Sequence, residues 1–248
     1  MDSGLLALPP EILCRVCPPD YKDAMRLWCA AKSIQKSLRG TGVQVELDNK
    51  FDRNGFMEHE QRTIARMQTW ASFTTIAIRD CYEVAMEEAA EAGTPGIWWL
   101  ERVLRKCKAL VKLNLSYNYI EAEGMEKLAI ALRHCQGLKH LDLSTNMMMD
   151  DGAEMVARVL LDCEALESLD LGNNCISDKG AGMLAGVIGQ CKRLTYIDLT
   201  ENSIQDEGAR MLAGALQHCH KPVQMDLRNN EIGHDMKHEL EKLGQVYV

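Results

Sequence analysis

The sequence predicts an α/β solenoid, with a curved parallel sheet on the concave face, helices on the convex face and a small helical segment at the N-terminus. Two observations lead to this fold class. Several residue types recur every 28 positions in the C-terminal part of the chain, and each unit has the pattern of a strand followed by a helix. Strands that alternate with helices at a constant period are expected to be parallel. Because strands lie ~4.8 Å apart and helices ~8–10 Å apart, the helical side must be longer and the stack must curve.

Four columns of identical residues define the repeat, and none of them drifts from the 28-residue step. The cysteine column consists of Cys107, Cys135, Cys163, Cys191 and Cys219. The asparagine column consists of Asn118, Asn146, Asn174, Asn202 and Asn230. Leucines recur at Leu115, Leu143, Leu171, Leu199 and Leu227, and glycines at Gly124, Gly152, Gly180 and Gly208. The asparagines are expected to satisfy backbone groups where the chain leaves each strand, and the cysteines are expected to pack in a row.

Within each unit, the first part predicts a strand and the second part predicts a helix. In residues 138–146, Leu141 and Leu143 alternate with polar residues, which is typical of a strand with one buried face. Apolar residues then recur at helical spacing, as in Ala153, Val156, Ala157 and Leu160. Three aspartates stand two residues before the glycine of their unit, and we expect them to be the N-caps of their own helices: Asp150, Asp178 and Asp206.

The pattern L-x-x-L-x-L-x-x-N at this period resembles the leucine-rich repeat. The segment after each strand, N-x-I-x-x-x-G-A-x-x-L-A-x-x-L-x-x-C, is similar to the ribonuclease-inhibitor subtype of that family. The resemblance covers residues 107–234. It implies a non-enzymatic scaffold that holds another protein on its concave sheet. The fifth unit departs from the pattern at Pro222 and Met236, and we interpret it as a C-terminal cap.

Residues 5–38 have a different character. The segment LLALPPEILCRV (5–16) precedes AMRLWCAAKSIQKSL (24–38), and the motif L-P-x-E-I-L followed by a helix with W-C resembles the F-box. That family binds the Skp adaptor of cullin ubiquitin ligases. The resemblance implies adaptor contacts by Leu8, Pro9, Glu11, Ile12, Leu13 and Trp28. The alternative is a small helical cap that seals the open end of the solenoid.

These patterns divide the chain into three parts. Residues 1–42 form the helical F-box-like segment, and residues 43–72 form an N-terminal cap or linker, within which Val43, Val45 and Leu47 alternate like a strand. Residues 73–248 are the repeats. A degenerate first repeat spans 73–106, regular repeats span 107–218, and the C-terminal cap spans 219–248.

Composition and charge limit the classes of function. The chain has 248 residues and a formal net charge of −8. Residues 71–248 carry 18 Lys and Arg against 27 Asp and Glu, or −9. An acidic domain argues against a nucleic-acid surface and favours a basic protein partner. No run of 18 apolar residues and no secretory signal is present, so we expect no membrane association and a cytoplasmic location, with the nucleus as an alternative.

The sequence offers no convincing catalytic, metal or cofactor site. Cys14 and Cys17 have the spacing of one zinc-ligand pair, but no second pair exists. His218, Cys219 and His220 also have metal-binding side chains, but Cys219 belongs to the inward-facing cysteine column. No nucleophile with its base and no phosphate loop can be assembled. We therefore expect a protein that is not an enzyme and uses no cofactor and no metal.

The candidate binding surface is the concave face. Residues that alternate with the buried leucines must point to it, and they make three columns along the strands. The predicted partner-binding residues from these columns are Lys112, Asn114, His140, Asp142, Asp170, Tyr196, Asp198, Asp226 and Arg228. Four aspartates on adjacent strands would lie ~5 Å apart and would favour a basic partner. The alternative is that these aspartates serve packing alone, with hydrogen bonds from Ser144 and Thr200.

The expected function is a protein-interaction scaffold, and in a sharper version a substrate receptor of a ubiquitin ligase. Two alternatives stay open at this point. The repeats also resemble those of the Ran-activating GTPase regulators, although that family has about twice as many repeats and an acidic tail. The chain is also compatible with a structural subunit of a larger assembly.

Overall fold

The structure, a computed structural model, describes residues 43–48, 73–79, 104–118 and 120–248. These residues form one sheet of eight strands, in which every strand pairs in parallel with the next one along the chain. Helices connect the later strands, so the predicted α/β solenoid is confirmed. The helical segment predicted for residues 1–42 lies outside the described residues.

The elements follow the 28-residue period. The strands are β1 Val43–Asp48, β2 Phe73–Arg79, β3 Lys112–Asn114, β4 His140–Asp142, β5 Ser168–Asp170, β6 Tyr196–Asp198, β7 Gln224–Asp226 and β8 Val246–Tyr247. The helices are α1 Ala122–Leu132, α2 Met149–Leu160, α3 Asp178–Ile188, α4 Asp206–Leu216 and α5 His234–Glu241. The alternation of Val43, Val45 and Leu47 correctly predicted the position of β1.

The core lies between the sheet and the helices. The middle residue of each strand β3–β7 is buried there, and so are the apolar faces of the helices. Each of the strands β3–β7 contributes only three residues to the sheet, so burial depends on stacking of neighbouring units. The side chains of Cys107, Cys135 and Cys163 are buried in this core, and burial raises the pKa values of their thiols to about 12, 11 and 12.

The asparagine column forms the predicted ladder at the ends of the strands. Asn202 is representative, since its side-chain amide donates to the carbonyl oxygens of Leu171, Leu199 and Thr200 at 3.0–3.1 Å. Its Oδ1 accepts from the backbone N–H groups of Asn174 and Ile176 at 3.1 and 2.9 Å. One side chain therefore satisfies five backbone groups in two consecutive repeats.

The prediction that the aspartates cap their own helices is wrong. Asp178 and Asp206 are the first residues of α3 and α4, and Asp150 lies inside the first turn of α2. Each carboxylate is already part of a helical turn, and it reaches the helix start of the following repeat instead. Asp178 accepts from Gln205 N, and Asp206 accepts from Gly233 N, both at 2.7 Å.

The glycine column makes room for these carboxylates. Asp150 accepts from Ser177 N at 2.8 Å, from Ser177 Oγ at 2.6 Å and from Gly180 N at 3.0 Å. A Cβ at Gly180 would lie 2.6 Å from Asp150 Oδ1, and one at Gly208 would lie 2.5 Å from Asp178 Oδ1. Burial alone would raise the pKa of Asp150, but the hydrogen bonds from Ser177 and Gly180 outweigh it and lower the pKa.

The C-terminal unit closes one end of the sheet. The backbone N–H groups of Met225 and Leu227 in and after β7 donate to Gln245 O and Tyr247 O at 2.8 and 2.7 Å. Val246 is buried, which anchors β8 to the core. Among the described residues, no helix is long and apolar enough to cross a membrane.

Candidate functional site

The candidate site is the open face of the sheet, opposite the helices. The strands β3–β7 pair without a register shift, so the side chains predicted to form columns do align. The first column runs through Lys112, His140, Ser168, Tyr196 and Gln224. The acidic column runs through Asn114, Asp142, Asp170, Asp198 and Asp226. The third column, Ser116, Ser144, Gly172, Thr200 and Arg228, follows the strands directly.

Two of the aspartates are well supplied with hydrogen-bond donors. Asp142 accepts from Ser144 Oγ at 2.7 Å, from Ser144 N at 3.0 Å and from Asn114 Nδ2 at 2.5 Å. Asp198 accepts from Thr200 Oγ1 at 2.7 Å, from Thr200 N at 2.9 Å and from Tyr196 OH at 3.0 Å. The predicted relief of charge by neighbouring hydroxyl groups is confirmed at these two positions.

Asp226 is neutralised by a cation from its own strand end. Arg228 Nε lies 2.9 Å from Asp226 Oδ1, and Arg228 Nη2 lies 2.5 Å from Oδ2, so the pair is bidentate. Burial raises the pKa of Asp226, but the hydrogen bonds from Arg228 outweigh it, and the pKa is lowered. The arginine stays exposed while Asp226 is buried. This end of the acidic column is therefore already paired.

Asp170 differs from its neighbours because its partner in the third column is a glycine. Its carboxylate accepts one hydrogen bond within the described part of the chain, from Gly172 N at 3.0 Å. No hydroxyl group occupies the place that Ser144 and Thr200 fill in the adjacent repeats. Burial, and then the nearby charges of Asp142 and Asp198, raise the pKa of Asp170 to about 6. Asp170 is thus the half-buried carboxylate of this column with unused acceptor capacity.

The first column is more varied. Lys112 is exposed, whereas His140 and Tyr196 are half-buried. Burial, and then the charge of Lys112, lower the pKa of His140, so this imidazole is neutral near pH 7. Burial and then Asp198 raise the pKa of Tyr196 to about 12, so it donates its hydrogen bond as a neutral phenol. Gln224 Oε1 is buried and has no donor among the described residues.

The structure thus brings the nine predicted open-face residues onto one surface. The predicted adaptor-binding residues Leu8, Pro9, Glu11, Ile12, Leu13 and Trp28 lie outside the described residues, and so do Cys14 and Cys17. Within the described ranges, no group of His, Cys, Asp and Glu side chains is arranged to hold a metal ion.

Sequence reasoning missed an exposed apolar group beside this face. Tyr117, Met147 and Met149 lie in the loops that lead from strands to helices, and each is more than 40% exposed. The sequence did contain a signal for these residues, because the equivalent positions of the other repeats are occupied mostly by polar residues. The positions equivalent to Tyr117 hold Thr145, Asn173, Glu201 and Asn229, and those equivalent to Met149 hold Glu121, Ser177, Gln205 and Gly233. A large apolar residue in a polar column is typical of a surface with a role other than packing.

Comparison with known proteins agrees with this architecture. A family model described as Leucine Rich repeat matches residues 106–129, 134–157, 163–185 and 190–213. No curated protein matches the chain. The matched segments are consecutive and follow the period of the strands and helices described above. Residues 106–213 therefore contain four consecutive leucine-rich repeats, and the described sheet and helices have the fold of a leucine-rich-repeat solenoid.

Proposed function

We propose that the chain is an interaction scaffold that binds a protein with a basic surface on the open face of its sheet. Leucine-rich repeats commonly serve as protein-binding scaffolds, which supports the general function. The aspartates of the acidic column favour a partner with a positively charged surface. The predicted contacts are Lys112, Asn114, His140, Asp142, Asp170, Tyr196, Asp198, Asp226 and Arg228.

Asp170 is the observation that carries this proposal. A carboxylate can accept about four hydrogen bonds, and within the described residues this one accepts a single bond, from Gly172 N. Charges of like sign on either side and partial burial make its ionised form unfavourable. A lysine or arginine side chain from a partner would supply both the missing donors and the opposite charge. A Cβ at position 172 would lie 3.0 Å from Thr200 Oγ1 and 3.3 Å from Asp170 Oδ1, so a donor for Asp170 is more easily supplied by a partner than by a side chain at this position.

A charge-matched comparison tests the proposal. The full-length protein and the variant Asp170→Asn/Asp198→Asn are used to capture partners from a cell extract at low salt. The control variant Glu164→Gln/Glu239→Gln removes the same number of charges from exposed positions away from the sheet. We expect at least one protein to be retained by the wild type and the control and lost from the Asp double variant. An identical set of captured proteins for all three chains would refute binding at the acidic column.

The finer proposal is that the scaffold is a substrate receptor of a ubiquitin ligase. The F-box resemblance of residues 5–38 supports it, through Leu8, Pro9, Glu11, Ile12, Leu13 and Trp28. Capture experiments with the full chain and with a chain lacking residues 1–40 test this point. Recovery of Skp and cullin with the full chain alone is expected. Absence of both proteins from the full-chain sample would refute the ubiquitin-ligase role and would leave the general scaffold function standing.

A further inference from the structure

We propose that the solenoid has a second docking surface, formed by its strand-to-helix loops, for a basic segment of a partner protein that places an apolar side chain on Tyr117, Met147 and Met149. We call these three residues the apolar patch. The loops concerned are residues 117–118 with 120–123, 145–151, 173–179, 201–207 and 229–235, and we call them together the loop edge. This surface borders the open face but contains none of the residues of the acidic column.

The first observation is the exposure of the apolar patch. Tyr117 is 55% exposed, Met147 is 42% exposed and Met149 is 54% exposed. All three lie at the same end of the solenoid, in the loops after β3 and β4. The side chains equivalent to Met147 in the later repeats are Cys175, Ser203 and Glu231, which suit solvent better. Methionine is flexible and polarisable, so it can adapt to apolar side chains of different shapes.

The second observation is the charge around the patch. The loop edge carries ten Asp and Glu residues and one Lys, a formal charge of −9. That lysine, Lys179, already forms an ion pair with Asp151 at 3.2 Å. The opposite edge, residues 105–111, 133–139, 161–167, 189–195 and 217–223, carries eight Lys and Arg against three Asp and Glu, or +5. The sign on each edge complements the helix dipoles, but the dipoles do not explain exposed apolar side chains on an acidic edge.

The third observation is the backbone of the loop that carries two of the three patch residues. Met149 has φ 52°, in the left-handed region that is unfavourable for a bulky side chain. The loop also leaves the Oδ1 atom of the fully buried Asn174 without a donor among the described residues. In the repeats on either side, the equivalent Oδ1 atoms of Asn146 and Asn202 each accept two backbone N–H groups. Left-handed residues also occur in the next loop, at Asn173 and Cys175, so it is the Oδ1 atom of Asn174, without a donor among the described residues, that sets this loop apart from its neighbours.

These observations together define the occupant. A surface of −9 attracts a positively charged segment and repels nucleic acid and anionic membranes. The apolar patch adds a site for a leucine, methionine or aromatic side chain, whose burial would supply affinity beyond the salt-sensitive charge term. We therefore assign the loop edge to a short basic segment of a protein, with one or two apolar anchors.

Peptide selection tests the assignment and does not require the partner itself. A random peptide library is selected on the full-length protein and then measured against Met147→Ser/Met149→Ser. The control Leu161→Ser/Met211→Ser removes two apolar side chains of similar exposure elsewhere on the surface. We expect selected peptides with a net positive charge and an apolar residue, whose affinity falls at least tenfold in the Met147/Met149 variant and is unchanged in the control. Selected peptides that lack this composition, or bind both variants equally, would overturn the proposal.

Two further measurements test the other possible occupants of the patch, which are another segment of this chain and a second copy of it. In the free full-length protein, Met147 and Met149 should be oxidised by peroxide faster than the buried Met148. Equal protection of all three would mean that another segment of this chain covers the patch. Sedimentation velocity should give the same mass for the wild type and the Met147/Met149 variant, and a loss of dimer in the variant would make the occupant a second copy. Selected peptides should still bind Asp170→Asn, so this proposal can fail while the open-face function stands.

Discussion

Single side chains hold this solenoid together at positions where the backbone has no regular partner. The asparagine ladder replaces the missing partners with one buried amide per repeat. Two adjacent members differ in an informative way. Asn202 makes hydrogen bonds through both its amide nitrogen and its oxygen, whereas the Oδ1 atom of Asn174 has no donor among the described residues. The ladder therefore predicts that alanine substitutions of Asn202 and Asn174 lower the free energy of unfolding by different amounts.

We expect Asn202→Ala to destabilise the protein by about 3 kcal/mol or more, and Asn174→Ala by about 2 kcal/mol. Each variant loses three hydrogen bonds to carbonyl groups that keep another donor, but Asn202→Ala also strands the N–H groups of Asn174 and Ile176. Urea unfolding at constant pH measures the difference. Glu154→Ala, which removes an exposed ion pair with Arg158, is the control and should cost no more than about 0.5 kcal/mol. Equal unfolding free energies for Asn202→Ala and the control would refute the ladder.

Asp170 gives a prediction about pH. Its pKa is about 6 in the folded protein and near 3.9 in an unfolded chain, so the folded state holds the proton more tightly. The stability that this proton contributes is complete below about pH 4 and is lost as the pH rises through 6. We expect Asp170→Asn to be more stable than the wild type at pH 7, by roughly 1 kcal/mol after a discount for solvent screening of this half-buried group, because the amide keeps the hydrogen bond from Gly172 and removes the charge.

Thermal melts of both proteins between pH 4 and pH 7 check this expectation. The difference in melting temperature should be small at pH 4 and should grow towards pH 7. Asp198→Asn is the matched control, since its carboxylate already accepts hydrogen bonds from Thr200 and Tyr196. That variant should gain less stability at pH 7 than Asp170→Asn does, because it loses hydrogen bonds and relieves only the repulsion with its neighbours. The idea is wrong if Asp170→Asn follows the wild-type curve over the whole range.

At the scale of the secondary-structure element, helix α4 contains two glycines with opposite roles. A Cβ at Gly208 would lie 2.9 Å from Asp178 Cα and 3.0 Å from Ile204 Cγ2, so two neighbouring segments would have to move. A Cβ at Gly214 would have nothing within 4 Å. The first glycine is required by the close approach of the preceding repeat, and the second only weakens the helix.

We therefore expect Gly208→Ala to destabilise the protein by about 2 kcal/mol or more and Gly214→Ala to stabilise it by up to about 1 kcal/mol. The two substitutions are identical in chemistry and lie in one helix, so intrinsic helix propensity cancels in the comparison. Denaturant unfolding of both variants gives the two free energies directly. If both alanines change the free energy of unfolding in the same direction, the packing around Gly208 does not exclude a Cβ atom.

At the scale of the whole molecule, each repeat contacts its neighbours along the chain, so the ends of the sheet need protection. β8 covers the outer edge of β7 through two backbone hydrogen bonds, from Met225 N and Leu227 N. We expect removal of residues 245–248 to speed the hydrogen exchange of those two amides and to promote self-association. The point variant Tyr247→Ala, whose side chain is 51% exposed, should change neither property.

Amide exchange measured by NMR and sedimentation at several concentrations are the two readouts for this truncation. Unchanged exchange at Met225 and Leu227 would show that β8 contributes nothing to the closure of the sheet. The rest of the solenoid should keep its protection, because stability in a stack of repeats is distributed between neighbouring units.

The sequence by itself determined the period, the order of strand and helix, the buried columns and the side chains that share the open face. All of these follow from local rules, since a strand alternates with a period of two, a helix has 3.6 residues per turn, and a constant 28-residue step aligns identical positions. The asparagine ladder could also be predicted, because a buried polar column at the end of each strand must satisfy backbone groups. These features were predicted correctly for Asn202, Leu141 and Leu143.

Only the tertiary structure decided which repeat each side chain serves. Asp178 was expected to cap its own helix, but its carboxylate binds Gln205 N in the next repeat, 27 positions away. Gly172 does not stand out as a sequence position, yet it leaves Asp170 without the donor that its neighbours have. The left-handed backbone of Met149 and the Oδ1 atom of Asn174, which has no donor within the described part of the chain, are likewise invisible in the columns. The physical reason is that a column gives the residues that align, whereas the offset between stacked repeats sets which atoms come within hydrogen-bond distance.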